Sequence, residues 1–166
     1  MRRFAPSDFF LHRLAVPRLI AAASLLATGA VHLQQYIVQD YRVIPTIGPL
    51  FLLNFIAATV LGLYFVVPAR ARVARVRLLA DTTAALSGMG VAVGGLVALI
   101  VSEQTPLFGF MEHGYRFAIV FTIASEVVAI LALGTFLVLS LAAARKRGSG
   151  RPSPAGPATI NPVTES

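Results

Sequence analysis

The sequence predicts an all-α membrane protein: a bundle of four transmembrane helices with both termini in the cytoplasm. Three observations lead to this fold class. The 166 residues are 57% hydrophobic and only 13% charged, whereas a soluble domain carries about 25% charged residues. Four apolar segments each reach the roughly 20 residues that a helix needs to cross the hydrocarbon core. Basic residues collect in the two terminal segments and in the loop between the second and third apolar segments, as expected where these parts stay in the cytoplasm.

The four predicted spans share the length and the unbroken apolar character of membrane helices, and they cover residues 17–38, 44–67, 78–101 and 115–142. Each is far longer than a usual strand of about 5–6 residues, and none alternates as a strand does. Since lipid offers the backbone no hydrogen bonds, a helix is the default for such a segment. Pro45 suits the first turn of the second span, where the N–H that proline lacks would have no helical partner.

Basic residues lie at three places that the predicted spans bring to one side of the membrane. They precede or open the first span, fill the loop at 68–77 and follow the fourth span, as Arg2, Arg3, Arg13, Arg18, Arg70, Arg72, Arg75, Arg77, Arg145, Lys146, Arg147 and Arg151. The positive-inside rule therefore predicts a multi-pass protein of the plasma membrane with both termini inside. A cleaved signal peptide in place of the first span is the alternative, and it would leave three spans with the same orientation. Asp81 is expected to pair with Arg77 or Arg75.

Two flanking segments differ from the spans in composition. Residues 1–16 are predicted as a cytoplasmic segment, and their mixture of Phe, Leu, Arg and His favours a short amphipathic helix on the inner membrane surface. Residues 143–166 are predicted as a disordered cytoplasmic tail, because a segment rich in Pro, Gly, Ser and Thr cannot bury a core.

Small residues on the third span predict where helices approach each other. Helices in lipid associate through close packing, so small side chains mark their interfaces. The predicted packing residues are Gly88, Gly90, Ala92, Gly94 and Gly95. Gly88, Ala92 and Gly95 recur on one face, whereas Gly90 and Gly94 form a GxxxG pair on a neighbouring face. Backbone contact inside the bundle is the first interpretation, and a homodimer seam is the alternative.

A polar cluster is predicted within the membrane at His32, Asn54, Ser125 and Glu126. Each residue lies on the small or polar stripe of its span, and these stripes are expected to face one another. Glu126 lies about eleven residues into its span, near the middle of the membrane, where a charged carboxyl would cost about 2.5–3.5 kcal/mol. In a structural interpretation, Glu126 is neutral and hydrogen-bonded to Asn54 or His32. In a functional interpretation, the cluster holds a ligand or a proton.

A second polar cluster is predicted on the outer face at Asp40, Glu103, Glu112 and His113. Glu112 and His113 could help to ligate a metal, but ligands adjacent in sequence rarely converge on one ion, and no metal site is predicted. No cofactor is predicted either, because His32 has no second histidine at its depth to hold a haem. The sequence lacks cysteine and recognisable catalytic motifs. Its net charge of +7 sits in blocks that face lipid headgroups rather than nucleic acid.

Three short stretches carry a resemblance to a known kind of protein: GAVHL at 29–33, TIGPLFLLN at 46–54 and LFGFME at 107–112. With them the chain resembles uncharacterised small four-helix integral membrane proteins of high-GC actinobacteria, over about residues 17–142. The resemblance implies a four-helix membrane fold and brings no activity with it.

The expected function is that of a non-enzymatic accessory or small-ligand-binding membrane protein, because packing faces account for most polar residues. One alternative is a small proton-coupled transporter that acts as a dimer and uses Glu126. Another is a membrane redox or lipid-binding protein that uses His32, which would need an opening between helices that reaches this residue. The expected partners are the lipid bilayer and a membrane protein or a second copy of the chain. Nucleic acid is not an expected partner.

Overall fold

The chain folds into four long helices. The computed structural model describes residues 6–67, 73–109, 111 and 117–149. In these ranges a single 3₁₀ turn covers Tyr41–Val43, and the helices are α1 Pro6–Val38, α2 Ile47–Val66, α3 Ala74–Gln104 and α4 Phe117–Ser149. All four helices are long and apolar enough to cross a membrane. The predicted all-α fold with four helices that could span a membrane is therefore confirmed.

Three helices extend beyond the predicted spans, α3 by three or four residues at each end and α1 and α4 by more at one end. α1 begins at Pro6 and continues through Pro17, so the helix expected within residues 1–16 is joined to the first span. A proline removes one backbone hydrogen bond, and membrane helices tolerate this loss where neighbouring helices pack against them. α4 continues to Ser149, so residues 143–149 are helical and the prediction of disorder is wrong there. Alanines followed by basic residues favour a helical C-terminus. The rest of the predicted tail, 150–166, lies outside the described residues.

The helices do not pack around the bundle equally. α1 packs along both α2 and α4, and α4 also packs along α3, whereas α2 and α3 meet over a much shorter stretch. Glycines bring α1 and α2 close together: a Cβ on Gly29 would lie 2.9 Å from Thr59 Oγ1, and one on Gly62 would lie 3.3 Å from the backbone oxygen of Ala22. The bundle is therefore tight around α1 and looser between α2 and α3.

The core is built from small and apolar residues, as expected for helices in lipid. Ala92 is fully buried, and a Cβ on Gly88 would lie 2.9 Å from a methyl carbon of Leu133. These two residues therefore pack inward as predicted. Gly90 and Gly94 do not: no described atom lies within 4 Å of a Cβ built on either. The prediction that this pair brings backbones together inside the bundle is wrong, because both glycines turn away from α4 and face the gap beside α2. The homodimer seam stays a prediction.

Polar contacts tie three helices together at one end of the bundle, where α2 ends and α3 begins. We call this the arginine-rich end. Arg18 of α1 donates to the backbone oxygen of Phe65 at 2.8 Å and also to those of Tyr64 and Val67, carbonyls that the last turn of α2 leaves without helical partners. Asp81 accepts from the Tyr64 hydroxyl at 2.8 Å and lies 3.7 Å from Arg77. The predicted Asp81–Arg77 pair is confirmed.

Candidate functional site

A cavity of about 530 Å³ lies between α2 and α3, in the half of the bundle opposite the arginine-rich end. Its mouth lies between Leu50 and Leu53 of α2 and Gly90 and Gly94 of α3, all of which are exposed. These residues belong to the apolar parts of their helices, so in a membrane the mouth would open sideways into hydrocarbon. The two glycines leave the mouth free of side chains on the α3 side.

The turn Tyr41–Val43 covers the outer end of the cavity. Tyr41 is buried, and its ring meets that of Phe51 edge-on, with 5.0 Å between the ring centroids. Gly48 lets the turn lie directly on the start of α2, since a Cβ there would be 2.8 Å from the backbone oxygen of Tyr41. The turn therefore lies over the end of the cavity that is farthest from the arginine-rich end.

The inner wall carries His32 of α1 and Asn54 of α2, two of the four residues predicted as an intramembrane cluster. His32 Nδ1 lies 2.9 Å from the backbone oxygen of Thr28, and its ring centroid lies 5.1 Å from that of Phe51. Ser125 does not line the cavity. Its hydroxyl lies 2.9 Å from that of Thr28 and joins α4 to α1 behind the wall. His32 and Asn54 thus line the cavity, whereas Ser125 contributes to the packing of α4 on α1.

Glu126 lies directly behind the inner wall and is fully buried. A Cβ on Gly95 would overlap its Oε1 atom, and the Nδ2 atom of Asn54 is 3.3 Å from the same position. Neither carboxyl oxygen has a hydrogen-bond partner among the described residues. The expected hydrogen bond from Glu126 to Asn54 or His32 is therefore not formed, although the fold brings the three helices together. An unpaired buried carboxyl is costly, so helix register does not account for a glutamate at this position.

The predicted outer-face cluster is described only in part. Asp40 pairs with Arg42 at 3.0 Å, with both side chains more than half exposed. Glu103 is half-buried near the end of α3. Glu112 and His113 lie outside the described residues. No group of three metal-binding side chains occurs within the described ranges. Asp40 belongs to the turn that covers the cavity, where its φ of 56° helps to reverse the chain.

Besides Tyr41, three further polar residues line the cavity: Gln35 and Thr122, which lie on the polar stripes predicted to face inward, and Ser102, which was not predicted. Gln35 follows His32 by three positions and therefore shares its helix face. Ser102 lies near the end of α3 with 5% of its surface exposed. Its sequence position next to charged residues suggested a loop, and only the length of α3 reveals that it is part of a helix.

The cavity thus combines an apolar lateral mouth, an end covered by the Tyr41–Val43 turn and a polar inner wall. The resemblance to small actinobacterial membrane proteins, based on three short stretches, stays a prediction. No protein family, no curated protein and no solved structure matches this chain.

Proposed function

We propose that this is a ligand-binding protein of the plasma membrane, which takes a lipid-soluble small molecule from the bilayer into the cavity between α2 and α3 without chemically changing it. The observation that carries the proposal is the cavity itself: about 530 Å³ of space with an exposed apolar mouth and His32 and Asn54 at its inner wall. Small-molecule sites typically have volumes of about 300–1,000 Å³, mostly apolar walls and a few polar groups that orient the ligand.

The route into the cavity supports a ligand that is dissolved in the membrane. The mouth lies beside Leu53, which is 61% exposed, and beside the side-chain-free surface of Gly90 and Gly94. In a bilayer these residues contact acyl chains, whereas the Tyr41–Val43 turn covers the end nearest to water. A ligand with an apolar body could therefore enter sideways and leave its polar group at the inner wall.

The proposal includes an orientation with both termini in the cytoplasm. The contacts of Arg18 with α2 and of Tyr64 with Asp81 support it, because they bring the arginine-bearing ends of α1 and α3 together. The basic end of α4 belongs to the same side, since Phe136 packs on Phe65 with 5.4 Å between ring centroids. Basic residues gathered at one end of a membrane bundle favour the cytoplasmic side.

A second candidate function is proton-coupled transport, and one observation favours it. Glu126 is fully buried, lacks a hydrogen-bond partner among the described residues and touches the cavity wall at Gly95. An ionisable group inside a membrane bundle is a common carrier of protons. This function would require ligand movement that responds to pH and disappears in Glu126→Gln, because glutamine cannot ionise. Simple ligand binding would survive that substitution.

Saturable photolabelling tests the main proposal. The probe is hexadecanol with a diazirine in its chain, added to the protein in nanodiscs of phosphatidylethanolamine and phosphatidylglycerol. We expect labelling of α2 and α3 residues at the mouth, and we expect excess unlabelled hexadecanol to remove it. Gly94→Leu should abolish this competable labelling, because the new side chain enters the open mouth. Labelling spread over all lipid-facing surfaces, and unaffected by Gly94→Leu, would contradict the proposal.

Gly134→Leu is the matched control for Gly94→Leu. Both glycines lie in helices, and no described atom comes within 4 Å of a Cβ built on either one. Leucine should stabilise both helices relative to glycine by about 0.8–1.0 kcal/mol, so neither variant is expected to unfold. Gly134 lies on α4, outside the lining of the cavity. Competable labelling should therefore persist in Gly134→Leu.

A further inference from the structure

We infer that the ligand carries a hydroxyl group that donates a hydrogen bond at the inner wall, as in a neutral lipid-soluble alcohol or phenol. The inference rests on the proposed function and adds the chemistry of the ligand's polar group. It follows from the hydrogen-bond acceptors that the polar side chains of the wall present to the cavity.

The imidazole of His32 presents an acceptor to the cavity. Its Nδ1 atom lies 2.9 Å from the backbone oxygen of Thr28. A carbonyl oxygen can only accept, so Nδ1 must carry the hydrogen of this bond. In the neutral ring the other nitrogen, Nε2, then has a lone pair and no hydrogen. A ligand that meets Nε2 therefore has to donate.

The serine and threonine hydroxyl groups on the wall, those of Ser102 and Thr122, have already used their hydrogens. Ser102 donates to the backbone oxygen of Leu99 at 2.8 Å, and Thr122 donates to that of Ala118 at 2.8 Å. Serine and threonine in helices commonly bond to the preceding turn in this way. What remains available on each oxygen is a lone pair. These two residues add acceptors to the wall and no free hydrogen.

The amide side chains add two more acceptors. Gln35 Nε2 donates to Gln34 Oε1 at 3.1 Å, and the Oε1 atom of Gln35 remains an acceptor inside the protein. Gln35 Oε1 and Asn54 Oδ1 are both buried, and neither has a hydrogen-bond partner in the described part of the chain. The amide nitrogen of Asn54 is directed to Gly95, on the side of Glu126. Buried acceptors without partners are rare in folded proteins, and a donating ligand would satisfy them.

Charge excludes an ionic head group. None of the described side chains that line the cavity belongs to Asp, Glu, Lys or Arg. Glu126 lies behind Gly95, and both carboxyl oxygens of Glu126 are buried. A charged group in this cavity would lose its hydration without gaining an ionic partner, which is highly unfavourable. A ketone, ester or ether is also a poor match, because it would set its own acceptor against those of the wall. A hydroxyl group fits the wall in both respects, because it is uncharged and can donate a hydrogen bond.

Competition between three ligands with one alkyl chain tests the inference. Photolabelling by the diazirine hexadecanol is competed with hexadecanol, with its methyl ether and with hexadecylammonium, each at equal mole fraction in the bilayer. We expect hexadecanol to compete about tenfold better than the methyl ether, as a hydrogen bond to a buried acceptor would provide. Asn54→Leu and Gln35→Met each remove one acceptor and should reduce the ratio by which hexadecanol competes better than its methyl ether. Both ligands should still compete, because their alkyl chains still fit the apolar part of the cavity.

The outcomes separate this inference from the proposed function. Equal competition by the alcohol and the ether would overturn the donating hydroxyl and leave ligand binding intact. Stronger competition by hexadecylammonium would also overturn it, in favour of a cationic head that uses Glu126. A preference that is unchanged in both Asn54→Leu and Gln35→Met would show that the acceptors of the wall do not select the ligand. Absence of any competable labelling in the wild-type protein would contradict the proposed function itself.

Discussion

Gly95 of α3 and Glu126 of α4 occupy one space: a methyl group on Gly95 would overlap the Oε1 atom of the glutamate. The carboxyl group lies where a side chain of α3 would otherwise be. The two residues therefore constrain each other, since any larger residue at 95 would have to displace the carboxyl group. Asn54 is at the edge of the same space, with its Nδ2 atom 3.3 Å from the Cβ position of Gly95.

Gly95→Ala should destabilise the protein, while Gly94→Ala should not. We expect Gly95→Ala to lower the free energy of unfolding by about 1–3 kcal/mol, because overpacking forces Glu126 or the helices to move. Gly94→Ala has open space and should raise the free energy of unfolding by up to about 1 kcal/mol through helix propensity. Unfolding in detergent, followed by circular dichroism, measures both. Adding Glu126→Ala to Gly95→Ala should recover part of the loss, and equal effects at 94 and 95 would contradict the geometry.

Substitutions of Glu126 test whether its carboxyl group contributes to stability. Glu126→Gln keeps the shape and should leave the free energy of unfolding within about 0.5 kcal/mol of the wild type, because neither oxygen has a partner among the described residues. Glu126→Leu removes a buried polar group and should stabilise the fold by about 1–3 kcal/mol. Glu126→Ala should be worse than either, since it leaves a cavity. A clear loss of stability in both Glu126→Gln and Glu126→Leu would indicate a structural hydrogen bond.

Arg18 should matter more for stability than other arginines of the same end. Arg18→Met keeps the aliphatic stem but removes the hydrogen bonds to the last carbonyls of α2. We expect a loss of about 1.5–3 kcal/mol, as for hydrogen bonds that involve a charged group. Arg75→Met is the control, because Arg75 is exposed on the first turn of α3. Thermal unfolding of both variants measures the difference, and similar small effects would mean that Arg18 does not hold the end of α2.

Single cysteines can test the proposed orientation, because the natural chain contains none. Gln104 and Arg145 are both exposed, and they lie near opposite ends of the bundle. Gln104→Cys should react with an impermeant maleimide on intact cells, whereas Arg145→Cys should react only after lysis. Ser102 would be a poor site for the same test, since it is 5% exposed. The reverse labelling pattern would place both termini outside.

Hydropathy predicted the four spans because the length of an apolar helix follows directly from sequence. The inward faces of Gly88 and Ala92 were also predictable, as were the inward-facing positions of His32 and Glu126, since small and polar residues recur at helical spacing. The cavity was not predictable, because it depends on how far α2 stands from α3. This distance results from the packing of α2 on α1 and of α3 on α4, and it has no local signal in the sequence.

The glycine pair shows why the same motif can have opposite consequences. Gly90 and Gly94 have the spacing that often joins two helices, and the spacing alone predicted close contact. In the structure the partner helix is set back, so the missing side chains create space instead of an interface. The hydrogen bonds of Arg18 escaped prediction for a related reason. They reach backbone oxygens on another helix, and backbone acceptors have no sequence signature.

Because the cavity opens sideways, the ligand concentration that would determine its occupancy is the concentration within the bilayer. In a membrane, a mouth bordered by Leu53 and Gly94 would meet acyl chains, so the space is expected to hold a lipid tail until a ligand displaces it. Occupancy would then follow the ratio of ligand to lipid within the bilayer. Diluting the sample with buffer would change little, whereas adding ligand-free lipid at constant ligand would empty the site. The fraction of protein with bound ligand would thus depend on the mole fraction of ligand in the membrane.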